Sequence, residues 1–225
     1  DYVGKLSQDL SKVKIGLPLE MFSQCLNPEI HAVLKTAAAK FSDLGFQVLD
    51  VSLTIAEIGL ATYYLIGPSE TSSNLACYDG VRYGAGRELF TQESMRRIMI
   101  GTYALSSGYS DAYYKKAQKV RTVLAAAYTH AFSQCDVLLM PTSPSVATKI
   151  GDLLSDPLSN MLADLYTTTV NQVGIPSLAL PAGFSQAGLP IGMQLVGQKF
   201  TESLLLAVGH QYQLATDWHT RSPNL

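Results

Sequence analysis

The chain has 225 residues, 47% of them hydrophobic and only 15% charged, with 16 Lys and Arg against 18 Asp and Glu. That length supports a substantial buried core, while the charged fraction falls below the roughly 25% usual for a free-standing soluble domain, as in a piece that packs against more protein. A net charge of -2 excludes the strong basic excess of a nucleic-acid-binding surface, and apolar runs such as Val137 to Met140 are far shorter than the roughly 20 residues needed to span a membrane.

The start, Asp1-Tyr2-Val3-Gly4-Lys5, has neither a methionine nor an apolar core. A fragment without a signal peptide is expected. Residues 14–18 read as a short buried strand stopped by Pro18. Asn27-Pro28-Glu29 is a helix start: Asn27 caps, Pro28 occupies the first turn and Glu29 favours the positive end of the dipole. Ile30, Val33, Leu34, Ala37, Ala38 and Phe41 keep helical spacing until Gly45 ends the run. Gln47 to Leu53 then alternates like a strand, so residues 14–53 form a βαβ unit with parallel pairing.

Residues 54–78 read as helix, with Gly67-Pro68 marking a kink or break, and Asp79 to Gly86 as a loop. Ser94 to Leu105 and Ser110 to Phe132 are two helices joined by Ser106-Ser107-Gly108. Asp136 to Met140 is a buried strand running into the extended Pro141-Thr142-Ser143-Pro144. Pro157 to Val173 is predicted as one helix ended by Gly174-Ile175-Pro176. Ser177 to Pro181 and Ile191 to Gly197 are strands of a hairpin, Thr201 caps a last helix to about Ala215, and Trp218 to Leu225 is a tail. No linker or repeat divides the chain, which reads as one α/β layer structure.

Cys25, Cys77 and Cys135 are odd in number and widely separated, which predicts reduced thiols in a cytosol-like compartment. His31, His130, His210 and His219 have no ligand spacing among themselves or with cysteine, so no metal site is expected. Gly80, Gly84 and Gly86 lack the context of a phosphate-binding loop. Ser106-Ser107 with Lys115 imitates a Ser-Ser-Lys set, but the serines read as a helix connection that caps the next helix. Ser72-Ser73 reads as local hydrogen bonding. Lys115, Lys116, Lys119 and Arg121, interleaved with Tyr113 and Tyr114, read as a solvated basic helix face.

Several segments, taken in order, resemble the amidase-signature family and, within it, the glutamine-hydrolysing subunit of tRNA-dependent amidotransferases. They are Tyr63-Tyr64-Leu65-Ile66, Glu70 to Leu75, Tyr78-Asp79-Gly80-Val81-Arg82-Tyr83-Gly84, Arg96-Arg97-Ile98-Met99 with Gly101-Thr102-Tyr103, and Asp111 to Arg121. Asp136 to Thr142, Gly174-Ile175-Pro176-Ser177 and Gly188 to Gln194 match the wider family. The resemblance spans about Lys14 to Ala215. It implies the C-terminal half of the amidase-signature fold: one domain over residues 1–225, with a mixed central sheet covered by helices. The family's Gly/Ser-rich run, which carries its nucleophilic and bridging serines, has no counterpart in this sequence, and Gly84 to Arg96 is shorter than in typical relatives.

The resemblance further implies that this half binds and orients glutamine. A free amino acid is a zwitterion, so its site needs a cation for the α-carboxylate and an anion for the α-ammonium. Arg97 corresponds to the family's carboxylate-binding arginine, Asp164 to its ammonium-binding aspartate, and Tyr63 to a tyrosine lining the same pocket. No catalytic residue, metal or cofactor is expected in this chain, which alone should be inactive. The expected partners are the B and C subunits of the amidotransferase. ATP and Mg would be used by the B subunit, which also contacts most of Glu-tRNA(Gln), with the small C subunit stabilising the pair. The expected location is the bacterial cytoplasm or an organellar matrix or stroma. The alternatives are another amidase-signature amide hydrolase, which has no reason to keep both Arg97 and Asp164, and a non-catalytic interaction module. Alone, the chain is expected to expose a sheet edge and an apolar face and to be poorly soluble.

Overall fold

The computed structural model describes residues 1–23, 27–54, 56–151 and 157–222; Cys25 and the last residues of the expected tail lie outside them. The opening βαβ unit is present as expected. Strand β1 (Lys14–Pro18) leads through a short helix α1 (Leu19–Ser23) to α2 (Pro28–Asp43) and β2 (Gln47–Val51). Asn27 Oδ1 accepts the Glu29 backbone N–H at 2.8 Å, Pro28 occupies the first turn, and Gly45 takes φ +90° just past the helix. Strands β1 and β2 pair in parallel from Lys14↔Gln47 to Pro18↔Val51.

Helix α3 (Ala56–Asn74) follows, then α4 (Gln92–Leu105), α5 (Lys116–Ala131) and β3 (Val137–Pro141). The chain continues as α6 (Pro157–Leu162), α7 (Thr168–Val173), β4 (Ser177–Phe184), β5 (Pro190–Gly197) and α8 (Glu202–Leu214). The sheet runs β2-β1-β3-β5-β4. Strand β3 lies parallel to β1 and antiparallel to β5, and β4–β5 is an antiparallel hairpin. This is the α/β fold with a mixed central sheet covered by helices.

Alternate side chains of β3 serve the two faces of the sheet. Val137 and Leu139 join Ile15, Leu34, Phe41, Met193 and Tyr212 under α2 and α8. Leu138 and Met140 join Val51, Tyr128, Tyr166 and Val170 under α5 and α7. A strand buried on both faces reads as an unbroken apolar run, which Val-Leu-Leu-Met is.

Five expectations need correction. Gly67-Pro68 does not break α3, which runs through it. Pro68 is buried, and its carbonyl packs so closely on α4 that a Cβ at Gly101 would collide with it. That packing offsets the hydrogen bond lost at proline. Pro157 to Val173 is two helices, because residues 163–167 form turns. Leu165 and Tyr166 both turn into the core, and the Tyr166 carbonyl accepts from Gln194 Nε2 at 2.9 Å. The α-helix resumes at Thr168 and ends at Gly174, φ +70°, as expected.

Thr201 makes no side-chain cap on α8; its hydroxyl instead donates to the Gln198 carbonyl at 2.7 Å. Trp218 is no loose tail: it stands edge-on to Phe184, with centroids 5.9 Å apart, and Arg221 lies 4.4 Å over its ring. Ser110 to Phe132 also opens irregularly, with one wide turn at Asp111–Lys115 before the regular helix. Cys77 and Cys135 are free thiols. No described helix is long and apolar enough to cross a membrane.

Two buried polar contacts tie the layers together. Gln194 Nε2 donates to the carbonyls of Pro141 (2.7 Å) and Tyr166 (2.9 Å), and its Oε1 accepts from Ser177 Oγ at 2.9 Å. We expect Gln194→Leu to cost about 2–4 kcal/mol, because it removes these bonds from a dry site; urea unfolding of the purified protein measures it. Tyr128 hydrogen-bonds Thr169 across α5 and α7 at 2.7 Å, and burial pushes its phenol up to about 12. Stability from keeping that phenol protonated is complete below the unfolded value of 10.0 and is lost as pH rises toward about 12. We expect Tyr128→Phe to lose about 1 kcal/mol near neutral pH and to show a shallower alkaline decline than the parent, measured by urea unfolding across the alkaline range.

Candidate functional site

The three residues singled out for zwitterion binding come from three separate elements, and the fold brings them together through a pair of tyrosines. Tyr63 lies on α3, where its ring covers Gly67: a Cβ there would meet the ring at 3.2 Å. Tyr64 is its neighbour, with the two rings edge to face at 5.1 Å and 83°. Consecutive helical residues point about 100° apart, so this pair offers its hydroxyls to two different partners.

Arg97, on α4, donates from Nη1 to the Tyr63 hydroxyl at 3.3 Å. The Tyr64 hydroxyl donates to Asp164 Oδ2, also at 3.3 Å. Asp164 sits in the turn between α6 and α7 rather than on a helix face, and its carbonyl accepts the backbone N–H groups of Thr167 and Thr168. All four side chains are half-buried. The cluster therefore runs cation, phenol, phenol, anion.

Its electrostatics are mutual. Burial, followed by the negative charge of Asp164, raises the Tyr64 phenol to about 12, while Arg97 opposes the shift. Tyr64 thus stays a neutral donor to Asp164 throughout the physiological range. Arg97 is held above the ordinary arginine value, chiefly by its hydrogen bond with Glu93. Arg97 Nε meets Glu93 Oε1 at 2.8 Å.

Tyr64 and Glu93 join this cluster in the structure but are not among the residues singled out from the sequence. Glu93 precedes Arg97 by four residues, the spacing that faces two side chains on one helix side; that signal was present. Tyr64 could be found only by knowing which of two adjacent tyrosines faces the turn at Asp164. Among the serines, Ser72 shares a hydrogen bond with Thr102 at 2.7 Å across α3 and α4. Ser106 Oγ donates back to the Tyr103 carbonyl, so it closes α4 instead of capping the next helix. Lys115 pairs with Asp111 at 2.6 Å. Among the described residues no group of three or more His, Cys, Asp or Glu side chains is arranged to hold a metal ion.

The sequence and the fold both have relatives. The family model described as Amidase matches residues 1–206. The glutamyl-tRNA(Gln) amidotransferase A subunit of Hahella chejuensis is 46% identical over 240 residues, covering all of this chain and 49% of the relative. The protein of the same name from Chloroflexus aurantiacus is 45% identical over 239 residues, with 100% and 49% covered. The chain thus spans about half the length of the curated relatives it matches. The aligned span of 240 residues exceeds the 225 of this chain, so the match includes gaps on this side.

Among solved structures, the glutamyl-tRNA(Gln) amidotransferase A subunit from Thermotoga maritima superposes with a TM-score of 0.70 at 33% identity, over 89% of this chain and 43% of that one. A 6-aminohexanoate cyclic dimer hydrolase superposes at 0.80 over 99% of this chain and 49% of that one, and at 24% identity this likeness speaks for the fold alone. With the family model spanning most of its length, the chain belongs to the amidase family.

Proposed function

We propose that this chain is part of the glutamine-hydrolysing subunit of a tRNA-dependent amidotransferase, which converts Glu-tRNA(Gln) to Gln-tRNA(Gln) with glutamine as ammonia donor. It supplies one wall of the glutamine pocket and not the nucleophile. The observation that carries the reading is the pairing of Arg97 and Asp164 at opposite ends of the Tyr63–Tyr64 pair. A cation and an anion joined by neutral phenols suit a ligand carrying one charge of each sign.

In this reading Arg97 takes the α-carboxylate, Asp164 the α-ammonium, and Tyr63 the space between them. An amidase for uncharged amides has no use for either charge. Bond cleavage needs an activated serine, which the other half of the amidase fold provides. Ammonia then passes to the B subunit, which uses ATP and Mg on the tRNA-bound glutamate, while the C subunit stabilises the assembly. The net charge of -2 leaves most tRNA contact to the B subunit.

We expect Arg97→Ala or Asp164→Asn in the complete enzyme to raise the glutamine requirement about ten- to a hundredfold. That equals the roughly 1.5–3 kcal/mol of one charge-assisted hydrogen bond. Steady-state kinetics with glutamine and with ammonia as alternative donors measure this. An equal loss with both donors would make these residues structural and would remove the reading.

A further inference from the structure

An arginine that recognises a carboxylate has two edges to offer: the side edge of Nε with one terminal nitrogen, and the end edge of both terminal nitrogens. Which edge faces the ligand depends on what holds the other. In this cluster Arg97 Nε is taken by Glu93 Oε1 at 2.8 Å, and Nη1 reaches the Tyr63 hydroxyl at 3.3 Å. The second Glu93 oxygen, Oε2, is gripped twice by Arg96, from Nε at 2.9 Å and Nη2 at 2.6 Å. One carboxylate therefore fixes two neighbouring guanidinium groups.

We propose that Glu93 is a positioning residue for ligand carboxylate recognition: by holding Nε of Arg97, with Arg96 anchoring it, Glu93 turns the terminal nitrogens of the Arg97 guanidinium toward the α-carboxylate of glutamine. This rests on the pocket reading given above. Three further observations support it. Glu93 lies in the first turn of α4, where the helix dipole favours an anion, and its two arginines hold its carboxyl below the ordinary glutamate range. Arg97 and Gly101 are one turn apart on α4, and the close seat of Gly101 on Pro68 fixes how near the Arg97 backbone comes to α3. The trio of Glu93, Arg96 and Arg97 also keeps a net positive charge, so an anionic ligand is still attracted.

An isolated i,i+4 pair on a helix surface contributes little, and a merely decorative Glu93 would leave ligand binding untouched. A Glu93 that only screened Arg97 would weaken glutamine binding, so Glu93→Gln, by exposing two uncompensated cations, would tighten it. A positioning role has the opposite sign. The test uses the complete amidotransferase, with glutamine kinetics normalised to ammonia-driven turnover of the same preparation.

We expect Glu93→Ala and Glu93→Gln each to raise the glutamine KM about tenfold, with kcat at saturating glutamine within about twofold of the parent. Glu93→Ala should add nothing further in an Arg97→Ala background, because Glu93 acts through Arg97. An unchanged or lowered KM in both Glu93 variants, while Arg97→Ala raises it, overturns the positioning role and leaves the pocket reading standing. A KM unmoved by Arg97→Ala itself overturns both. Ammonia-driven turnover that falls as far as glutamine-driven turnover in both Glu93 variants also overturns the proposal, because Glu93 would then be supporting the fold.

Discussion

One buried amide sets the position of the turn on which the candidate site depends. Gln194 sits in the middle of β5, 3% exposed, and bonds to three segments: Pro141 at the end of β3, Ser177 at the start of β4, and Tyr166 between α6 and α7. A polar group in so dry a place is tolerated only when paired, so these partners must stay where they are. The Tyr166 carbonyl accepts one of these bonds at the end of the turn formed by residues 163–167. Asp164 stands on that turn, facing Tyr64. A charge at the candidate site thus stands on a turn tied to an amide of the central sheet.

The opposite wall is placed by contact rather than by hydrogen bonding. Helices α3 and α4 approach closely where Gly101 meets the Pro68 carbonyl, a crossing that larger residues would prevent. Ser72 and Thr102 add a hydrogen bond one turn further on. Tyr63 and Arg97 lie on the other side of that crossing, each about one turn before its contact residue. Packing on one wall and a paired amide on the other leave the tyrosine pair between two rigid supports.

Much of this architecture was legible because it is local. Asn27-Pro28-Glu29, the apolar spacing through Phe41 and Gly45 describe a helix without reference to anything else in the chain, and the same holds for the Val137-to-Met140 run and the hairpin around Gly188. What escaped was set by distant partners. Nothing between Pro157 and Val173 announces that the chain will turn at residues 163–167, or that Gln194, 28 residues beyond Tyr166, will bond the Tyr166 carbonyl. Nothing near Pro68 announces that Gly101 will cover it. At the candidate site, Arg97, Asp164 and Tyr63 were singled out through family resemblance, and the structure joins them through Tyr64, which composition and spacing could not distinguish from Tyr63.

The central place of β3 has a consequence in time. Strands β1 and β2 can pair as soon as residue 51 has been made, but the other side of β1 waits for β3, which starts at Val137. At roughly 5–20 residues per second, ribosomal synthesis makes that wait about 4–17 s, long compared with the microseconds to seconds in which small units fold. During that interval the nascent βαβ unit carries an unpaired strand whose Ile15 and Gly16 have no sheet neighbour on that side. A released chain refolding at full length has β3 available from the start and is spared that wait.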